Sequence, residues 1–422
     1  MRERALLVTV GFDSLRRESI LEDTARELEE LSRSAGLFVA QSLVFRQKRP
    51  NAPFLLGSGR AAELRGLVEK ERADVVVFGS NLSTSQQRNL EDIVGTKTID
   101  RTQLILDIFA LRARSAEGRV QVELAQLKYL LPRLAGKGIY LSRLGGGVGT
   151  RGPGEQKLEV DRRRIRERIA RLGRELLALD KRRLAGIQAK KEKDLPLIAL
   201  VGYTNAGKSR LFNALTRSAV VVQDRLFSTL DTTTRLIELP GNQSALLADT
   251  VGFVRELPHG LVESFKATLE EAIHADVLLH VMDASRSDAP FMEKAVRNVL
   301  DELGVGEKET LLVQNKADLL KGEERGKAAE DAVKKGGVLV SALTGEGLDR
   351  LLARISDSLG RGRLEMEFFV PKERLGLAGF LYREGEIIDR KDLPSGSKFI
   401  VRLPYKAGEI FKNKLKNAKK RA

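Results

Sequence analysis

The run GYTNAGKS, Gly202 to Ser209, has the spacing G-x-x-x-x-G-K-[ST]. It follows the apolar run LPLIALV and opens a helical pattern, the context in which such a loop wraps phosphates. Backbone N–H groups of Gly202, Tyr203, Thr204, Asn205, Ala206 and Gly207 can cradle phosphate oxygens, aided by the positive end of the helix. Lys208 would then reach the β- and γ-phosphates, and the Ser209 hydroxyl would bind Mg²⁺. Asn205 is also a candidate to help hold a K⁺ ion; the competing reading is a loop residue that satisfies nearby backbone groups.

Three further runs follow in order. DTVG (Asp249, Thr250, Val251, Gly252) ends the apolar strand ALLAD, so Asp249 can hold magnesium through water and Gly252 can offer its N–H to a γ-phosphate. NKAD (Asn315, Lys316, Ala317, Asp318) ends the strand ETLLVQNK. A carboxylate at Asp318 accepts two N–H bonds, which guanine's edge supplies and adenine's does not. SAL (Ser341, Ala342, Leu343) follows another strand and places a backbone N–H for the guanine carbonyl. Alone, NKAD reads equally well as a surface turn and SAL as a strand end. Four runs in this order, each at a strand's carboxyl end, point to a guanine-nucleotide site whose catalytic groups are Lys208, Gly252 and a switch residue. The hydroxyl-rich FSTLDTTTR supplies that switch, with Phe227, Ser228, Thr229, Leu230 and Asp231 as contact residues. Thr229 is the preferred second magnesium ligand, with Thr232 to Thr234 as rivals that sequence chemistry does not separate.

These residues need elements to hold them. From Leu195 the chain alternates strand-like runs (LPLIALVGY, LIELPGNQSALLAD with a hairpin at Gly241-Asn242, DVLLHVMDA, ETLLVQNK, GVLVSA) with helical segments at 209–216, 261–275, 290–303 and 347–359, the order of a doubly wound sheet. Residues 1 to 100 read as a small α/β domain with a partly parallel sheet: strands at 5–12, 36–45 and 74–80, helices at 14–34 and 59–72. Between them, Val120, Leu124, Leu127, Leu131 and Leu134 repeat at 4-3-4-3 spacing, as do Ile165, Ile169, Leu172, Leu176 and Leu179. Two such stripes can zip into a long antiparallel helical hairpin over 101–193, with Pro132 kinking the first helix near its end. The tip of that hairpin is LGGGVGTRGPGE, 144–155. The predicted fold class is thus α/β: an N-terminal α/β domain (1–100), the hairpin (101–193), a central P-loop GTPase sheet (194–360) and a small α+β C-terminal domain (364–422) with MEFFV and KFIVRLP as strands and a basic tail.

The net charge of +15 is concentrated: residues 156–193 carry fourteen Lys/Arg against six Asp/Glu, and 412–422 carry six bases and no acid. That concentration favours a polyanion, most plausibly nucleic acid, over a merely solvated helix face. There is no cysteine, and the only histidines are His259, His274 and His280, which argues against disulfides and a histidine metal centre. No apolar run approaches the ~18 residues of a membrane span, and the charged N-terminus is unlike a signal peptide. A cytoplasmic protein is expected.

GYTNAGKS, FSTLDTTTR, DTVGF, LPHGLVESFKATLEEAIHADVLLHVMDAS and above all GGGVGTRGPGEQKLEVDRR resemble the HflX family of ribosome-associated GTPases, a branch of the TRAFAC P-loop GTPases. The resemblance is strong from about 100 to 360, loose before that and least diagnostic after Leu364. It implies GTP hydrolysis with magnesium held at Ser209 and Thr229, binding to the large (50S) ribosomal subunit, and splitting or rescue of stalled ribosomes under stress. It also sends the glycine-rich loop toward the peptidyl-transferase region. There Gly146, Gly147 and Gly152 would let backbone approach rRNA closely, while Arg143 and Arg151 pair with phosphates or stack on bases. One departure is Thr232, where the family usually has proline. Another is Phe253, where a Ras-like GTPase has the glutamine that orients water; slow intrinsic hydrolysis, accelerated by the ribosome, is expected. A monomer is expected. Two other readings compete: an RNA-dependent ATPase with a second nucleotide site in the N-terminal domain, and a signalling GTPase with a protein effector. NKAD argues against the first and the basic hairpin against the second.

Overall fold

The run ALLVTV near the N-terminus is apolar at nearly every position, a pattern that suits a strand covered on both faces. In the computed structural model it lies in β1 (Arg4–Phe12), whose central residues are all buried. The structure describes residues 2–12, 18–134, 153–191, 195–217, 226–227, 232–241, 243–254, 269–286, 288–360 and 363–417. The chain divides into two units: Met1–Gly186 with Gln223–Asp231 and Val254–Thr268, and Ile187–Val222 with Thr232–Phe253 and Leu269–Ala422.

In the first unit β1 is followed by α1 (Glu18–Ser34), β2 (Phe38–Gln47), α2 (Ser58–Glu71), β3 (Val75–Phe78), α3 (Thr84–Val94), β4 (Lys97–Ile99) and α4 (Arg101–Arg112). The sheet order is β2-β1-β3-β4, and all three pairings are parallel rather than partly so. Sequence reading missed α3, β4 and α4. α3 has only two buried side chains and depends on its start: the Ser83 side chain accepts from Gln86 N while Gln86 reaches back to Ser83 N. The Asp100 carboxylate caps α4 by accepting from Gln103 N at 2.9 Å.

α5 (Ala116–Arg133) and α6 (Pro153–Lys191) are the two long helices expected. Val120, Leu124 and Leu172 are buried together, with Leu127, Ile169 and Leu176 packed against them. Arg168 adds a two-pronged bond to Glu123 at 2.7 and 2.8 Å. Leu131, Leu134, Ile165 and Leu179 are only half-buried and lie outside that cluster. Pro132 is the penultimate residue of α5, which ends one residue later. The glycine-rich run 144–152, with Arg143, Gly146, Gly147, Arg151 and Gly152, lies outside the described residues.

The second unit opens with β5 (Leu197–Gly202) and α7 (Lys208–Thr216), then β6 (Thr233–Leu239), β7 (Gln243–Asp249), α8 (Glu270–His274), β8 (Val277–Asp283), α9 (Ala289–Glu302), β9 (Thr310–Asn315), α10 (Gly322–Lys334), β10 (Val338–Leu339) and α11 (Leu348–Gly360). Their order across the sheet is β10-β9-β8-β5-β7-β6, parallel except for the β6–β7 hairpin, which turns at Gly241 as expected. α10 was missed because GEERGKAAEDAVK buries one side chain, Ala332, and so carries almost no apolar stripe. The expected helix over 261–275 is described only as α8.

The same unit ends with β11 (Arg363–Pro371), α12 (Ala378–Glu384), β12 (Glu386–Leu393), β13 (Gly396–Pro404) and α13 (Tyr405–Asn417), the strands forming an antiparallel sheet in the order β11-β13-β12. β12 escaped notice because EIIDRKDL is a largely exposed, polar edge strand. The basic tail begins inside the fold: Lys412 to Asn417 are the last turns of α13, whose Phe411 is fully buried edge-on to Phe368 at 5.0 Å. Among the described residues, no helix is long and apolar enough to cross a membrane.

Candidate nucleotide site

β5 and α7 are joined by Tyr203 to Gly207, so the phosphate-loop motif occupies a strand-to-helix turn at the sheet's carboxyl edge. Asn205 (φ +62) and Gly207 (φ +93) both take left-handed backbone. At Gly207 a Cβ would collide with Asn315 Nδ2, so glycine is required there by space as well as by φ. Lys208 is buried, and its Nζ donates to the carbonyls of Gly202 (3.0 Å) and Tyr203 (2.8 Å). Burial pushes its ammonium down to about 8, and the negative charge of Asp249 pulls the other way.

The DTVG run lies against this loop. Asp249 is 1% exposed at the end of β7, in register with Leu200 of β5. Thr250 Oγ1 donates to Leu200 O at 2.5 Å. Thr204 N–H donates to Phe253 O (2.7 Å) and Phe253 N–H to Gly202 O (3.1 Å), a short parallel bridge that fastens the two loops. A Cβ on Gly252 would lie 2.7 Å from Thr204 Cγ2 and 2.9 Å from Lys208 Nζ, so only glycine lets the backbone come this near the lysine. The Phe253 ring is buried and presents no polar group to water.

At the opposite end, Asn315 joins three segments. Its Nδ2 donates to Ala206 O at 2.9 Å, and its Oδ1 accepts from Ala342 N at 3.0 Å. Ser341 Oγ donates to Asp318 Oδ1 at 2.5 Å, while the Asp318 side chain stays exposed enough to receive a base. Of the SAL amides, Ser341's is given to Glu346 O and Ala342's to Asn315, which leaves Leu343's for a ligand carbonyl. Lys316 (φ +65) is held by Asp283 at 2.7 Å. Sequence reading missed Asp283, although a carboxylate closing the strand VLLHVMD was a usable signal.

The structure thus gathers 202–209, 249–252, 315–318 and 341–343 at one edge of one sheet. Tyr203, Thr204, Ala206, Val251 and Ala317 are buried, as are Lys208 and Ser209. Phe227 differs from expectation. It belongs to the first unit, where its ring is 2% exposed and meets Phe109 edge-on at 4.6 Å, and the preceding Leu226 N–H donates to Ser34 Oγ at 3.1 Å. A ring so enclosed is engaged in packing rather than in ligand contact. Ser228, Thr229, Leu230 and Asp231 lie outside the described residues. Thr232 Oγ1 donates to Glu271 Oε1 at 3.1 Å, and Thr233 and Thr234 are in β6 opposite Asp249 and Ala248.

Four family models match successive parts of the chain: GTP-binding GTPase N-terminal (22–110), GTP-binding GTPase Middle Region (112–190), 50S ribosome-binding GTPase (197–316) and HflX C-terminal domain (327–422). The GTPase HflX of Caldanaerobacter subterraneus subsp. tengcongensis is 47% identical over 388 residues, 92% of this chain and 88% of the relative. That of Escherichia coli (strain K12) is 44% identical over 357 residues, 85% and 83% of the two chains. Among solved structures, a GTP-binding protein from Sulfolobus solfataricus in complex with GDP covers 86% of this chain and 99% of its own at 25% identity and a TM-score of 0.44. On the family models and the two curated relatives, the chain belongs to the HflX family and is a GTP hydrolase.

Proposed function

We propose that this GTPase binds the large ribosomal subunit and splits or rescues stalled ribosomes under stress, with its nucleotide state governing how the basic hairpin engages rRNA. The observation that carries this reading is the α5–α6 pair. The centre of its apolar seam is buried, while Arg163, Arg164, Arg166, Arg171 and Arg174 remain exposed along α6. A rigid cationic arm bearing a glycine-rich segment suits entry into a narrow, phosphate-lined space. The family description of residues 197–316 as a 50S ribosome-binding GTPase supports the same partner. Within the division into four domains, the arm binds RNA and the six-stranded sheet reads the nucleotide; the protein acts as a cytoplasmic monomer.

At the site, Lys208 and the amides of the phosphate loop hold the β- and γ-phosphates, Gly252 N–H meets the γ-phosphate, and Asp318 with the Leu343 amide reads guanine. Ser209, buried at the start of α7, and the Asp249 carboxylate are hard oxygen donors that fit magnesium. Once bound, magnesium neutralises charge on the phosphates. The bonds of Thr232 and the strand positions of Thr233 and Thr234 favour Thr229 as the switch ligand. Asn205 stands where it can help hold potassium, although its left-handed backbone alone accounts for an asparagine.

Phe253 cannot orient water, so turnover by the isolated protein is expected to be slow. Adding purified 50S subunits should raise it by at least about tenfold, since ordering a water-positioning group is worth that much or more. A chain lacking 144–154 should still hydrolyse GTP alone but lose ribosome splitting, followed by subunit sedimentation. Equal splitting by the two chains would refute the role of the arm.

A further inference from the structure

His280 is unexplained by anything above. It sits in the middle of β8, the strand beside β5, opposite Val201 on one side and Leu312 on the other. Only 6% of it is exposed. His280 lines a small, partly open cavity of about 20 Å³ between the phosphate loop and α9, with Thr204, Met282, Met292 and Val296 among the walls. Two polar atoms of that wall, His280 Nε2 and Thr204 Oγ1, are buried and have no hydrogen-bond partner in the protein, each other included. Buried polar atoms are nearly always satisfied. The nearby Asp283 is not available to either: its Oδ1 accepts from Ser285 and its Oδ2 faces Lys316.

The cavity is the size of one water molecule, and its walls carry these two orphaned polar groups beside Asn205, Asp283, Arg286 and several apolar side chains. We propose that one ordered water occupies it and bridges His280 Nε2 to Thr204 Oγ1, making His280 a positioning residue for the phosphate loop. Water both donates and accepts, so it serves either imidazole tautomer.

The position of Thr204 gives the bridge its consequence. Thr204 N–H is tied to Phe253 O at 2.7 Å, and its Cγ2 sets how near Gly252 can approach. Its hydroxyl is the one remaining handle, and the water fastens that handle to the central strand. His280 therefore fixes, through Thr204, the distance between Gly252 and Lys208, the two groups placed at the γ-phosphate. The imidazole remains neutral in this role. Burial, with Arg297 of α9, Lys208 and Lys335 after α10, pushes it down to about 4, against the upward pull of Glu293.

The test uses the full chain. His280→Leu should lower the single-turnover GTP rate about tenfold, as expected for loss of one oriented bond acting in the transition state, with GDP affinity within about twofold. His280→Gln, which can still meet the water, should recover at least about half the rate. Thr204→Val should match His280→Leu, and the double variant should be no slower than either. A GDP-bound crystal structure of the unmutated chain should show the water within hydrogen-bond distance of both atoms, and this readout does not depend on variants folding. A dry cavity, equal rates for the Leu variant and the unmutated chain, equal rates for the Gln and Leu variants, or additive losses would each overturn the assignment.

Discussion

Lys208 is enclosed by protein before any phosphate arrives, with only two carbonyls and a nearby carboxylate to stabilise its charge. Its value near 8 makes nucleotide binding a proton-linked event. Below pH 8 the ammonium is charged and ready; above it, the empty site holds a neutral amine that must take up a proton to meet phosphate. GDP affinity should therefore fall as pH rises past 8, by about tenfold at pH 9. Calorimetry in buffers of different ionisation enthalpy should show proton uptake at pH 9 and none at pH 7. Asn315→Ala should be more damaging than its single side chain suggests, because it strands the carbonyl of Ala206 and the amide of Ala342 together. With each stranded group costing about 1–3 kcal/mol, GDP should bind at least about tenfold more weakly, read by titration with a fluorescent analogue. Asp318→Ala should cost thermal stability only about 1 kcal/mol, for the bond lost from the buried Ser341 hydroxyl, and erase the preference for guanine over adenine bases. The motifs themselves were legible because phosphate-loop and base-reading chemistry is local in sequence. The Asn315 links, the Asp283–Lys316 pair and the His280 cavity were not, since each depends on which strands lie side by side.

At the level of elements, the long helices were legible because their apolar spacing is regular, yet only the middle of each stripe is buried. Leu172 is 1% exposed and sits at the centre of that seam. Leu172→Ala should destabilise the first unit by about 3 kcal/mol, visible as an earlier denaturation transition, whereas Leu177→Ala on the exposed face should change little. Neutralising Glu123 should have a small effect, since the pair it forms with Arg168 is partly open to solvent. Four of the elements that sequence reading overlooked share one property. β4 has three residues, β12 is a polar edge, and α3 and α10 bury one or two side chains each. None of these four carries enough local apolar signal to declare itself; α4 is the exception, burying seven residues yet falling inside the 101–193 stretch assigned to the hairpin.

For the molecule as a whole, the excess positive charge is distributed in a way that sets how binding responds to salt. Replacing Arg163, Arg164, Arg166 and Arg171 by Gln should make the logarithmic salt dependence of 50S binding shallower by about three, if each meets one RNA phosphate. An unchanged slope in co-sedimentation would place the RNA-binding surface elsewhere. Asn315 raises a different matter. One amide side chain stands between the turn proposed to grip phosphate and the loops proposed to read the base, and Gly207 must lack a side chain to make room for it. On that proposal purine selectivity and phosphate grip are mechanically coupled, so a version redesigned for another base by altering this position should hold every nucleotide, its intended one included, more loosely.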